Sequence, residues 1–292
     1  MQGLRTKIAA IRSKIPFLLI AALIFANAFI WYGARAEERG VLKVAFLDIG
    51  QGDSIFIESP SGAQALIDGG PNKKVLQELG AVMPLYDNYI DVIVATHPDK
   101  DHIGGLPEVV SRYGVGMFLE SGVKCRTATC FELEKVVDEK GVQKIIARRG
   151  MIVDLGGGAF LSILYPDREV ADVSDTNDGS IVAKLIYGNN SFMLTGDAPQ
   201  GVERVLLSYG PAGLKSDVLK SGHHGSKTSS APQFVAAVAP AYGIISAGKN
   251  NQYGHPHQET LDTLNKFGVK ILSTIDLGRI IFSSDGESLF VN

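Results

Sequence analysis

The six histidines of this 292-residue chain fall in three close pairs: His97 with His102, His223 with His224, and His255 with His257. Histidines serving only as core or surface residues would be expected to scatter. The first two pairs follow short runs, 92–95 and 217–220, that read as strands. A strand that delivers its C-terminal end to polar residues is where open α/β sheets place ligands. The spacing therefore calls for a fold in which strand ends distant in sequence meet in one pocket.

The rest of the chain can supply such a fold. Alternating apolar stretches separated by turn residues predict strands at 41–47, 54–58 and 63–67. Helical spacing follows at 73–82, 107–113 and 131–140, and short strands at 160–165, 181–187 and 192–194. The last third alternates helices at 202–209, 231–238 and 258–267 with strands at 217–220, 242–246, 270–273 and 279–282. Strand clusters punctuated by helices predict a layered α/β architecture with helices outside and sheets between. A hydrophobic content of 45% suffices for one large core or two modest ones, and the net charge of −3 gives no global pull toward nucleic acid, so any polyanion has to be held locally.

The first 40 residues read differently. Residues 15–34 form an uncharged stretch of 20 residues, roughly 30 Å as a helix and enough for one hydrocarbon core. Arg5, Lys7, Arg12 and Lys14 precede it without an acidic residue, and Trp31 and Tyr32 close it like an interfacial belt. The expected division is a basic cytoplasmic segment 1–14, a transmembrane signal-anchor 15–34, a linker 35–40 and an extracytoplasmic domain 41–292 on a single-pass membrane protein. The alternative is secretion after signal cleavage near Ala36, because Ala34-Arg35-Ala36 fits a cleavage site. The two cysteines, Cys125 and Cys130, suit a local disulfide in an oxidising compartment or two idle thiols.

The chemistry concentrates in His97-Pro98-Asp99-Lys100-Asp101-His102. In an extended turn, residues i and i+2 project to one side, so His97 and Asp99 can share an ion while Asp101 and His102 turn toward a second. Imidazole and carboxylate are the ligand types of divalent metals in hydrolases. The bland reading of this run is a helix cap at Asp99 or Asp101. Asp197 ends another apolar strand and can bridge two ions. Of His223 and His224, one can ligate while its neighbour donates to substrate or orients a ligand. His255 is a candidate proton donor, substrate clamp or third ligand, and Lys220, Lys227 and Lys249 lie close in sequence to the histidine turns, where each can hold a phosphate or simply be a solvated surface lysine.

The runs Asp48 to Ser54, Leu66 to Gly70, His97 to Gly105, Leu194 to Asp197, Leu219 to Ser226 and Asn251 to Pro256, taken in order, resemble the metallo-β-lactamase-type domain of the ComEC competence (DNA-uptake) family. The resemblance spans roughly residues 41–292. It implies an αββα sandwich with two divalent metal ions at the sheet edges. It also implies Asp68 as the support of the metal loop, His97, Asp99, Asp101 and His102 as the ligand loop, Asp197 as the bridging carboxylate, His223 as the late ligand, and Gln51 and Asp53 at the mouth. The wider superfamily usually has His-x-His-x-Asp-His, and here Asp99 stands in the second histidine's place. The separate histidine expected between ligand loop and bridging aspartate is missing, and Asn177, Asp178 or Ser180 occupies its region. Oxygen in place of nitrogen tilts preference from Zn²⁺ toward Mn²⁺ or Mg²⁺.

Three functions are consistent with such a site: an extracytoplasmic phosphodiesterase or nuclease acting on DNA, a hydrolase of another exported ester such as a cell-wall phosphoester or lactone, and a non-catalytic metal- or DNA-binding accessory of a separate channel protein.

Overall fold

The computed structural model describes residues 14–29, 40–84 and 87–292. The chain divides into two units, Met1–Gly40 and Val41–Asn292. In the first, residues 14–29 form a helix, α1, whose apolar side chains, including Phe17, Leu23 and Phe25, are exposed. No helix among the described residues is long and apolar enough to cross a membrane. The expected span over 15–34 is thus described only as far as residue 29, and Trp31, Tyr32 and the Ala34 to Ala36 site lie outside the described residues.

The second unit opens with an antiparallel meander, β1 (Leu42–Phe46), β2 (Ile55–Glu58) and β3 (Gln64–Ile67). Then α2 (Lys74–Val82) crosses to β4 (Tyr89–Ala95), which lies parallel to β3 with Ile67 opposite Val94. The short α3 (Lys100–Ile103) and α4 (Leu106–Arg112) lead to β5 (Gly114–Glu120), and α5 (Ala128–Glu139) leads to β6 (Gln143–Ile146). A second sheet starts with β7 (Ile152–Asp154), β8 (Ala159–Tyr165), β9 (Val182–Tyr187) and β10 (Asn190–Leu194). It continues through α6 (Gln200–Ser208), β11 (Val218–Lys220), α7 (Pro232–Val238), β12 (Tyr242–Ile245), α8 (Gln258–Lys266) and β13 (Lys270–Ser273). After α9 (Thr274–Leu277) the chain returns to the first sheet with β14 (Ile280–Ser284) and β15 (Leu289–Val291).

The sheets run β15-β14-β1-β2-β3-β4-β5-β6 and β13-β12-β11-β10-β9-β8-β7. Alternation of side chains along each strand sends neighbours to opposite faces. Val92 and Val94 of β4 thus join Phe192 and Leu194 of β10 in the core between the sheets. Ile93 and Ala95 face the other way and pack with Leu79 of α2, Val109 of α4 and Leu133 of α5. Met193 packs outward with Val202 of α6, Phe234 of α7 and Leu264 of α8. The result is four layers, helix–sheet–sheet–helix, as expected for an αββα sandwich.

Four strands, β5, β6, β7 and β15, fall outside the predicted strand ranges. β5 carries Gly114 and Gly116 and is solvent-exposed over its first half, so its sequence lacks the strand signature that burial would impose. β15 is a three-residue edge strand without a buried residue. The cysteines form a disulfide, Cys125–Cys130.

Candidate metal centre

β3 and β4 are parallel, as are β10, β11 and β12, so their C-terminal ends open on common edges. The residues just past those ends are Asp68, Thr96-His97, Asp197, Ser221 to His224 and Ser246. Tight backbone approach joins them. Gly52, at φ +132°, lies so close to the Asp101 carbonyl that an added Cβ would fall 2.1 Å from it. The amide of Asp53 donates to the same carbonyl at 3.2 Å. Gly105 in turn fits against the Gly69 carbonyl, where a Cβ would stand 2.3 Å away.

Asp68 is the hub beneath the ligand loop. Its carboxylate accepts from the Thr96 amide at 2.8 Å and the Thr96 hydroxyl at 2.7 Å, and lies 2.7 Å from His102 Nδ1. Such a contact turns Nε2 of His102 outward as the ligating nitrogen. That Nε2 lies 3.2 Å from Asp197 Oδ2, and His224 Nε2 lies 3.3 Å from the same oxygen. His224 Nδ1 is held by the Ser246 carbonyl at 2.9 Å, at the end of β12.

The ligand atoms of Asp53, His102, Asp197 and His224 all lie within 4.8 Å of one another, and all four residues are buried. Among the described residues, Oδ1 of Asp197 and Nε2 of His97 and of His102 make no hydrogen bond although buried, while Asp53 is held by ion pairs with Lys220 and His224. Buried polar atoms without partners are costly, and a cation removes that cost. Charge points the same way. Asp53, Asp68, Asp101 and Asp197 converge here with Lys220 as the lysine among them. Burial opposes protonation of His102 and His224, yet the surrounding carboxylates, Asp197 foremost, outweigh it and hold both imidazoles well above their ordinary range. A pocket that draws protons onto two histidines suits a divalent cation at the same nitrogens.

The sequence-predicted residues fall in three places. Asp101, His102, Asp197 and His224 meet at the centre, together with Asp53, which had been assigned to the mouth and is instead 2% exposed inside the cluster. His97 is beside them, its ring 4.1 Å from that of His102, and burial together with His102 lowers it to about 3, keeping it neutral and open to a metal. His223, expected as the late ligand, stands further out: its Nε2 is 3.7 Å from Asp197 Oδ2 and its side chain is 29% exposed. Both histidines adopt left-handed backbone, φ 48° and 56°, and this turn sends His224 rather than His223 inward. Asp99 lies at the rim, 3.7 Å from His97 Nε2, and accepts from the Thr176 hydroxyl at 2.6 Å. It occupies the N-cap position of α3 without a side-chain cap bond.

Lys220 departs from its expected role. The ammonium is fully buried, ion-paired with Asp53, 3.6 Å from Asp197 Oδ1 and 3.0 Å from the Gly196 carbonyl. It faces inward and balances the carboxylates, so it does not reach a substrate phosphate. His255 is 8% exposed with its ring 5.4 Å from that of His223, and burial lowers it to about 4. Segment 176–181 packs beside the ligand loop, with the Ile181 amide donating to the Thr96 carbonyl at 2.9 Å. Among the described residues, Asn177 Oδ1 and the fully buried Ser180 Oγ have no hydrogen-bond partner. Gln51 accepts from the Gly248 amide at 3.1 Å. Sequence reasoning missed Thr96 and Thr176 because a lone threonine beside a histidine or aspartate carries no distinguishing pattern.

A family model for the metallo-beta-lactamase superfamily matches residues 47–249, from the end of β1 to the loop after β12. The chain belongs to the metallo-beta-lactamase superfamily. Members of this superfamily bind divalent metals, and the His/Asp group at the sheet edges is the place for one here. The chain is similar to ComE operon protein 3 of Bacillus subtilis (strain 168), 33% identical over 259 residues, which cover 82% of this chain and 32% of that protein. It is also similar to competence protein ComA of Neisseria gonorrhoeae, 28% identical over 89% of this chain and 35% of that one. The chain thus spans about a third of the length of these relatives. Among solved structures, Igni18, a metallo hydrolase from the archaeon Ignicoccus hospitalis KIN4/I, superposes with TM-score 0.54 at 15% identity, covering 83% of this chain and 98% of that one. YhfI, a metallo-beta-lactamase fold protein of Bacillus subtilis, gives 0.52 at 13% identity, covering 82% and 98%. These two likenesses establish the fold.

Proposed function

We propose that the chain is a metal-dependent phosphodiesterase acting on DNA, with its catalytic domain outside the cytoplasm and residues 15–34 as its anchor. The observation that carries the catalytic reading is the buried group of Asp53, His102, Asp197 and His224, whose ligand atoms lie within 4.8 Å of each other. The competence relatives favour DNA as the phosphodiester.

His102, His224, Asp197 and Asp53 would hold one ion, and His97 with Asp99 would flank a second next to Asp197. Bound divalent ions lower the pKa of water and stabilise charge on an attacked phosphoryl group. Asp68 and the Ser246 carbonyl fix the two imidazoles through their Nδ1 atoms. Lys220 keeps Asp53 and Asp197 together against their mutual repulsion. Asp101, its side chain 32% exposed and its Oδ2 3.2 Å from His224 Nε2, would accept a proton from an attacking water. His255 orients a non-bridging oxygen.

The test is metal analysis of the purified full chain, followed by hydrolysis assays on single-stranded DNA, duplex DNA and a generic phosphodiester with Mn²⁺ and with Zn²⁺. Turnover that disappears in Asp101→Ala with metal content retained supports the proposal. Tight DNA binding without cleavage under either metal overturns it. Carbonate extraction of membranes tests the anchor, which fails if the protein is released.

A further inference from the structure

A groove of about 580 Å³ leads outward from Asp101, lined by Gln51, Asn72, Lys100, Asn251 and Tyr253 among others. Its chemistry is distinct from that of the metal centre. The walls offer carboxamides, an exposed ammonium from Lys100, and an aromatic ring. Tyr253 is 55% exposed, and its ring lies nearly parallel to that of His255, with centroids 5.7 Å apart and planes at 21°.

The turn that carries this ring is braced. Asn251 Nδ2 donates to the Gly248 carbonyl at 2.9 Å and to the His255 carbonyl at 2.6 Å. Asn251 Oδ1 accepts from the amides of Tyr253 at 3.2 Å and His255 at 2.9 Å. An exposed aromatic on a fixed turn, supported by a second ring, can hold a flat π-system on its open side at little ordering cost. The exposed carboxamides of Asn250 and Gln252 in the same groove can meet the edges of such a ring, and Lys100, beside Asp101, can hold the adjoining phosphate.

We propose that Tyr253 is a specificity-determining residue, a stacking platform for an unpaired nucleobase next to the phosphodiester held at the metal centre. The proposal rests on the phosphodiesterase reading and adds a strand preference to it. A base within a duplex already has both faces covered by its neighbours, whereas a base in a single strand can stack on the tyrosine. Single-stranded DNA is then the favoured substrate.

The experiment uses the full chain with Mn²⁺ and three substrates: a single-stranded oligonucleotide, a set of the same strand with one abasic residue moved stepwise along it, and the duplex. Tyr253→Ala is expected to raise KM on the intact single strand about tenfold, within the range for losing one stacked base, with kcat within about twofold. Tyr253→Trp should restore the wild-type KM. One abasic position should cost the wild type the same factor and cost Tyr253→Ala nothing further. An unchanged KM, or an equal loss at every abasic position and on the duplex, overturns the platform. Should no phosphodiester be cleaved, the proposed function falls, and binding of a strand containing 2-aminopurine decides the platform separately. Quenching in the wild type that is lost in Tyr253→Ala supports it, and equal quenching in both overturns it.

Discussion

His102 Nδ1 lies 2.7 Å from Asp68 Oδ2, although the two residues are 34 positions apart. Asp68 itself sits at φ 59°, a left-handed conformation uncommon outside glycine, in the turn that follows β3. The backbone is bent there so that one carboxylate can reach both Thr96 and His102.

Replacing that carboxylate should loosen the metal without removing a ligand. Asp68→Asn, which tolerates the left-handed backbone, is expected to weaken metal affinity by about 10–100-fold, typical of partners that orient a ligating histidine. Competition with a chromogenic chelator measures it. An affinity within twofold of wild type would mean that Asp68 serves only to support the loop.

Removing the metal should lower stability. A ligand present at about 100 times its dissociation constant stabilises the native state by about 2.7 kcal/mol. For a domain of this size that corresponds to roughly 5–10 °C in Tm. Thermal unfolding before and after chelation, with restoration by Mn²⁺ or Zn²⁺, checks the effect. Tm should depend on the logarithm of free metal concentration.

Lys220→Met should be strongly destabilising, because it leaves Asp53 buried beside Asp197 without its ammonium partner. Loss of one partner of a buried pair costs about 3–5 kcal/mol. The double variant Lys220→Met with Asp53→Asn should recover much of that loss, and urea unfolding of the two variants measures the coupling.

Glu203 gives a pH dependence away from the metal centre. Its carboxylate accepts from the amides of Ser230 at 2.5 Å and Ala231 at 2.8 Å, at the start of α7, and burial pushes it up to about 7. Its ordinary value is 4.5. Between these two values the folded chain binds more protons than the unfolded chain, so stability contributed by this group is full below about pH 4.5 and falls as pH rises to about 7. The change is on the order of 3 kcal/mol. Glu203→Gln should flatten this part of the stability profile, read as the difference between variant and wild type in urea unfolding across pH 4.5–8.

The histidine pairs and strand-end motifs made the catalytic region legible, because ligand loops are short and their residues adjacent. The strands from β8 through β14 were visible for a related reason: their side chains alternate between two buried faces. β5 was hidden because its glycines and exposed start give no such alternation. The inward position of Asp53 was hidden because its partner Lys220 is remote in sequence, and only sheet-to-sheet packing brings them together.

The sequence by itself determined the alternation of strands and helices, the layered α/β class and the cluster of residues able to hold a metal, since these depend on local spacing and residue chemistry. Only the tertiary structure decided that His224 rather than His223 turns inward, that Lys220 is buried among carboxylates rather than exposed to substrate, and that Tyr253 stands at the mouth. Those outcomes depend on left-handed turns and on parallel strand ends from two sheets converging at one edge, which no local pattern encodes.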